Sequence, residues 1–340
     1  MKLSAGKYWG MRRLADAKGR WKMVAIDQRG PIMVPVAARR GVAEAPYDDV
    51  AAVKVAVTRQ LAPHATAMLL DPNFAYPRCI QHVPTQVGVC LSLEHHVTDD
   101  RDGARRSAVI PDWSVAKIRR IGGDAVKLLV WYRPDAPQAV CDHQQAFVRR
   151  IGQECREHDI VLLLELLIYA LPGESAAQLE AARSRLVLDS MRDFADPSYG
   201  VDIYKLEPPA MLAAVPDPDG MAAAPVQRLY EQLGAMTTRP WVLLSAGASA
   251  ADFERSLTYA YRAGASGYLC GRAIWHKAFE AFPDMAAMER ALAEQSVPYL
   301  HRLNALTDKM ATPWSHHPGL ADGVELDGDG PAFASGYAAA

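Results

Sequence analysis

What this sequence lacks narrows it before any motif is considered. No apolar run approaches the length of about 20 residues that spans a bilayer, so no membrane partner is expected. No sign of charge dominates: the formal net charge is -2, which gives no electrostatic footprint for nucleic acid. The first residues, Met1-Lys2-Leu3-Ser4-Ala5-Gly6-Lys7, contain no apolar core of a secretory leader. The five cysteines (Cys79, Cys90, Cys141, Cys155 and Cys270) are odd in number, scattered and free of CxxC spacing. That usage fits reduced thiols in a cytoplasm and argues against a disulfide framework or a structural zinc site.

The composition is that of an ordinary globular chain, half apolar and 22% charged over 340 residues. Eight short apolar runs recur, at residues 22–30, 65–72, 87–93, 124–132, 160–167, 201–206, 241–247 and 266–272. Continuous apolar strands of this length suit a parallel sheet covered on both faces. Helical spacing lies at 48–61, 111–121, 142–158, 175–194, 226–236, 250–263 and 285–306. Eight strand–helix units at this length predict an α/β fold, a single (β/α)₈ barrel over residues 1–314 with a short helix at 8–18. A doubly wound open sheet is the competitor, but no glycine-rich dinucleotide turn follows the first run. Residues 315–340, rich in Gly, Asp, Pro and Ala, are expected to form a loose tail.

In such barrels the chemistry sits where strands meet their following loops. There the sequence places Asp27, Gln28, Asp71, Glu94, His95, His96, Lys127, Glu165, Lys205, Ser245 and Arg272. Lys205 ends an apolar strand that two prolines stop. A buried ammonium loses its charge more readily, and a neutral amine attacks a ketone to form a Schiff base. The plainer alternative is a lysine whose stem packs while its head stays wet. If Lys127 shares the barrel mouth, like charges predict that one of the two amines is neutral near pH 7. Glu165, flanked by leucines, suits a general acid/base, or else a structural ion pair. Ser245, Gly247, Gly271 and Arg272 on the last two runs suit a phosphate, held by backbone N–H groups, a helix start and a guanidinium. A flavin phosphate would fit them equally, and tight turns alone would explain the glycines. Glu94, His95 and His96 with Asp71 raise a metal site, but a zinc site needs three protein ligands plus an open position. The expectation is therefore no metal and no cofactor.

Taken in order, several segments resemble the class I tagatose 1,6-bisphosphate aldolase family. They are Ala25-Ile26-Asp27-Gln28-Arg29-Gly30, Leu69-Leu70-Asp71-Pro72, Asp124-Ala125-Val126-Lys127-Leu128-Leu129, Leu164-Glu165-Leu166-Leu167, Val201-Asp202-Ile203-Tyr204-Lys205-Leu206-Glu207, Leu244-Ser245-Ala246-Gly247 and Cys270-Gly271-Arg272-Ala273. The similarity runs from about Trp21 to Trp314. It implies a cytoplasmic Schiff-base aldolase acting on a phosphorylated ketose. Lys205 would be the Schiff-base lysine and Glu165 the acid/base. Lys127, Asp27 and Gln28 would line the cleft, and Ser245, Gly247, Gly271 and Arg272 would hold the phosphate of the dihydroxyacetone phosphate half. The stretches at 240–245 and 263–269 are similar to aldolases that cleave 6-deoxy-6-sulfofructose 1-phosphate, which would place a sulfonate at the far end of the sugar. A barrel that senses sugar phosphate for a partner is a third reading. Assembly as a homo-oligomer is left open.

Overall fold

The computed structural model describes residues 1–100, 103–320 and 323–337. Ten strands occur in chain order: β1 (Lys2–Leu3), β2 (Trp21–Ala25), β3 (Ala67–Leu70), β4 (Gly88–Ser92), β5 (Ala125–Trp131), β6 (Val161–Leu167), β7 (Ile203–Leu206), β8 (Trp241–Leu243), β9 (Gly267–Cys270) and β10 (Glu325–Leu326). Strands β2 to β9 are parallel and form a closed barrel, sealed where β2 pairs with β9. This is the (β/α)₈ architecture expected from the eight apolar runs.

Successive strand residues point to opposite faces: the odd-numbered positions of β2, β3, β5, β6, β7 and β9 face the barrel axis, as do the even-numbered Cys90 of β4 and Val242 of β8. Met23, Leu69, Val161, Leu163, Ile203 and Leu269 pack together inside. Their even-numbered neighbours, Val24, Met68, Val126, Leu162, Leu164 and Tyr204, pack outward against the helices. The interior is therefore a filled apolar plug low in the barrel. Fully burying one such leucine contributes about 1.5–3 kcal/mol.

The helices are α1 (Ala5–Arg13), α2 (Gly30–Arg40), α3 (Tyr47–Leu61), α4 (Tyr76–Cys79), α5 (Val115–Arg120), α6 (Gln138–Glu157), α7 (Ala176–Asp193), α8 (Ala223–Met236), α9 (Ala250–Arg262), α10 (Arg272–Phe279), α11 (Met285–Ala291), α12 (Val297–Met310) and α13 (Phe333–Gly336). Several starts are set by the residue before them. Ser175 and Gln178 form a reciprocal capping box on α7, and the Ser249 hydroxyl accepts the Asp252 N–H on α9. The long helix expected at 285–306 is divided: a π-helical segment, Leu292–Ser296, joins α11 to α12. Pro298, the second residue of α12, has no N–H to donate, so the α ladder cannot run through unbroken.

The N-terminal face is closed by the two ends of the chain. Helix α1 contributes Met11, and Leu14 follows it into the interior cluster. Lys7 pairs with Asp202 at 2.7 Å. Trp314 stacks on Trp21 with ring centroids 6.4 Å apart. The segment expected to be a loose tail carries definite contacts over its described residues. Leu320 is buried beside Leu3, and β10 runs parallel to β1. His317 is buried and neutral: its Nδ1 accepts the Gly319 N–H at 3.1 Å, and its Nε2 lies 3.0 Å from Thr237 Oγ1. Residues 321–322 and 338–340 of that segment, and 101–102 of the loop after β4, lie outside the described residues. Among the described residues no helix is long and apolar enough to cross a membrane.

Candidate active site

Inward parity carries up the strands to their C-terminal ends, where the apolar plug gives way to charge. Asp27 follows β2, Lys127 is on β5, Glu165 on β6 and Lys205 on β7, all at odd positions and all buried. Register places Glu165 directly opposite Lys205. Lys205 Nζ lies 3.0 Å from Glu165 Oε2, and Lys127 Nζ lies 2.8 Å from the same oxygen. Lys127 also reaches Asp27 Oδ2 at 2.9 Å and Glu94 Oε1 at 2.8 Å. Arg29 Nη2 donates to Glu94 Oε1 at 3.0 Å, and Ser92 Oγ donates to Asp27 Oδ2 at 3.0 Å. Three basic and three acidic side chains thus form one continuous network across the barrel mouth.

That network sets the charge on Lys127. Burial works against the charge on Lys127, but Asp27, Glu165 and Glu94 outweigh it and hold the ammonium well above its usual range. Lys127 is therefore held as a cation, because three carboxylates surround it. Burial likewise opposes the charge on Glu165. Lys127 and Lys205 outweigh it, so Glu165 titrates below the ordinary glutamate range and stands ionised. Asp27 is lowered in the same way, by Lys127, Lys205 and Arg29 against burial.

The phosphate-type residues come together on the other side of Lys205. A cleft of about 250 Å³ is lined by Gln28, Glu165, Lys205, Ser245, Gly271 and Arg272, among others. After β8 the chain turns through Ala246 and Gly247, both in the left-handed region (φ 47° and 89°). A side chain on Gly247 would begin 4.0 Å from the Arg272 guanidinium nitrogens, so the loop and that guanidinium adjoin. Gly271 precedes α10 and sits where a Cβ would lie 2.3 Å from the Ala25 carbonyl oxygen. Only glycine fits there. The α10 N-terminus that follows it is suited to an anion. Gln28 lines the cleft, and its Oε1 is buried without a hydrogen-bond partner among the described residues.

Asp71 and Glu94 are committed elsewhere. Asp71 pairs with fully buried Lys54 at 2.6 Å, and Lys54 also donates to the Ile26 and Gln28 carbonyls, fixing the strand end that carries Asp27. Glu94 serves Lys127 and Arg29, while His95 Nδ1 turns to the Val97 carbonyl at 3.1 Å and His96 is exposed. Among the described residues no group of three or more His, Cys, Asp or Glu could hold a metal ion. The sequence reading gave no role to Arg29, Ser92, Arg183 or Glu207. For Glu207 the signal was present, since it lies two positions beyond Lys205 and so shares its inward face.

A barrel whose mouth holds a buried amine against a carboxylate, beside a cleft lined by Ser245, Gly271 and Arg272, has the layout of a Schiff-base lyase. The sequence matches the DeoC/LacD family aldolase description over residues 22–277. It is 32% identical to tagatose 1,6-diphosphate aldolase 1 of Streptococcus mutans over 327 residues, covering 92% of this chain and 99% of that one. It is also 32% identical to tagatose 1,6-diphosphate aldolase of Listeria monocytogenes, covering 92% of this chain and 95% of that one. Among solved structures, an archaeal fructose-1,6-bisphosphate aldolase with its catalytic lysine bound to the carbinolamine intermediate superposes with a TM-score of 0.57 at 14% identity, covering 88% of this chain and 99% of that one. A Plasmodium falciparum fructose-bisphosphate aldolase does so with a TM-score of 0.60 at 12% identity, covering 92% and 98%. The chain belongs to the DeoC/LacD family of aldolases. It is a carbon–carbon lyase.

Proposed function

We propose that this aldolase cleaves tagatose 1,6-bisphosphate to dihydroxyacetone phosphate and glyceraldehyde 3-phosphate, through a Schiff base on Lys205. The observation that carries the reading is the single oxygen, Glu165 Oε2, lying 3.0 Å from Lys205 Nζ and 2.8 Å from Lys127 Nζ. The Lys205 amine attacks the C2 ketone, and water leaves as the iminium forms. Ionised Glu165 takes the proton of the C4 hydroxyl. The C3–C4 bond breaks, the aldehyde departs, and its bonding electrons pass into the iminium to give an enamine. Protonation at C3 and hydrolysis release dihydroxyacetone phosphate and restore the amine. Lys127, held as a cation, stabilises negative charge developing on the C4 oxygen. Ser245, Gly247, Gly271 and Arg272 hold the substrate's phosphate, while Asp27 and Gln28 face its hydroxyl groups. The five free thiols are all buried, in keeping with a cytoplasmic enzyme.

Borohydride trapping with dihydroxyacetone phosphate, followed by peptide mass mapping, tests the mechanism. A stable adduct on Lys205 is expected, and an adduct on another lysine would refute the assignment. A kinetic panel of bisphosphate epimers and 6-deoxy-6-sulfofructose 1-phosphate tests the substrate. The highest kcat/KM is expected for tagatose 1,6-bisphosphate.

A further inference from the structure

Helix α7 sends one side chain into the cleft. Arg183 is buried although it sits mid-helix, and it lines the same cavity as Lys205, Ser245 and Arg272. Arginine is rarely buried unless it is paired. Its Nε donates to Glu180 Oε2 at 2.8 Å, and Nη1 lies 3.5 Å from Glu207 Oε1, a long contact. Among the described residues nothing engages Nη2, so three of the five N–H bonds of a buried guanidinium, both on Nη2 and one on Nη1, are unclaimed at the wall of a cavity. Glu207 is buried too. Its Oε2 accepts the Ile168 N–H at 2.8 Å, and it lines the cavity beside Arg183.

We propose that Arg183 is a second arginine of the anion subsite, and that Glu207 is the carboxylate that holds it while the subsite is empty. The inference rests on the reading that a phosphate binds at this end of the cleft. A phosphate monoester carries a charge of about −1.5 to −2 at neutral pH. Arg272 and the start of α10 meet part of that charge, and Arg183 meets the rest with a planar fork suited to oxygen pairs. An anion arriving there competes with Glu207 for Arg183.

The charged groups acting on Glu207 are Arg183 of α7, itself bonded to Glu180, and Glu165 of β6, while Lys205 of β7 and Arg272 of α10 line the same cavity. Burial outweighs the attraction of Arg183, so Glu207 is pushed up to about 7. A second negative charge beside it raises that value further, so anion binding draws in a proton. By linkage the anion then binds more tightly below that pH than above it.

Sulfate, whose charge is constant near neutrality, is the probe, with calorimetric titration of the full chain at about pH 6 and about pH 8.5. Arg183→Met and Arg272→Met should each weaken sulfate by about tenfold or more. Glu207→Gln should bind sulfate more tightly than wild type at the higher pH and remove most of the pH dependence. Wild-type affinity in Arg183→Met, with weakened binding in Arg272→Met, overturns the inference and leaves the phosphate reading standing. Unchanged affinity in both overturns the phosphate reading itself. Arg183→Lys, which keeps the charge and loses the fork, covers the case in which the methionine variant fails to fold. It should fall between wild type and Arg272→Met, and wild-type affinity in it would overturn the two-pronged contact.

Discussion

Lys205 and Lys127 look equivalent as buried strand lysines, yet their surroundings predict opposite responses to removal. Lys205 has one carboxylate partner, Glu165, which keeps Lys127 when Lys205 is lost. Lys205→Met should therefore abolish turnover with little change in unfolding midpoint. Substantial activity in a preparation free of host aldolase would sink the mechanism. Lys127→Met leaves Asp27, Glu94 and part of Glu165 buried without their cation. Breaking such a buried network costs about 3–5 kcal/mol, which denaturant titration would read directly. Glu207 acts in the reverse sense. Its folded value lies above that of an unfolded glutamate, so its contribution to stability is full in acid and lost as the pH rises through about 7. Glu207→Gln should gain stability on wild type at alkaline pH, and a constant difference across pH would contradict the buried-acid assignment.

At the scale of elements, the turns after β8 and β9 do as much for the site as the strands do. Gly271→Ala would drive a methyl into the Ala25 carbonyl across the β9–β2 seam. A loss of about 1–3 kcal/mol is expected from that overpacking, together with a raised KM. Unchanged thermal midpoint and KM would show that the seam relaxes freely. The strands were legible as eight continuous apolar runs, and Asp27, Lys127, Glu165 and Lys205 as the charged residues at or near their C-terminal ends. Their partners were not legible. Asp27 is 100 residues from Lys127 in sequence, and only barrel closure brings the two within 2.9 Å. Arg183 was hidden for a different reason, since helical spacing reads it as one more solvated charge on α7. The break between α11 and α12 was marked by Pro298, which the periodicity of the flanking residues obscured.

For the whole molecule, acid should act in two stages. Burial, with Arg239 adding to it, lowers His317 to about 4. Its folded value lies below the unfolded one, so its stabilisation is present above about pH 6.5 and fades as the pH falls toward 4. That stage loosens the segment over the N-terminal face, and His317→Gln should remove it from the pH–midpoint curve. Asp27 and Glu165 are also lowered, so their contribution is complete above about pH 4 and is lost only as the pH falls through their depressed folded values. Urea titrations at graded pH should show the second stage in His317→Gln as in wild type. A single transition shared by both proteins would contradict the separation.

The β2–β9 seam has a consequence for the order of events during synthesis. Trp21 lies opposite Gly267 in the ladder, and Val24 opposite Cys270. The first barrel strand to leave the ribosome therefore waits for the last before its outer edge is covered. Asp27, at the end of that first strand, cannot be locked in place earlier, and Arg272 emerges just behind the final strand. Such long-range closure makes for slow folding and leaves sticky edges exposed on partial chains. Competence to react with a ketone should thus appear abruptly on nascent chains, only after residue 272 has cleared the exit tunnel, while every shorter chain presents an open curl of strands to the chaperones around it.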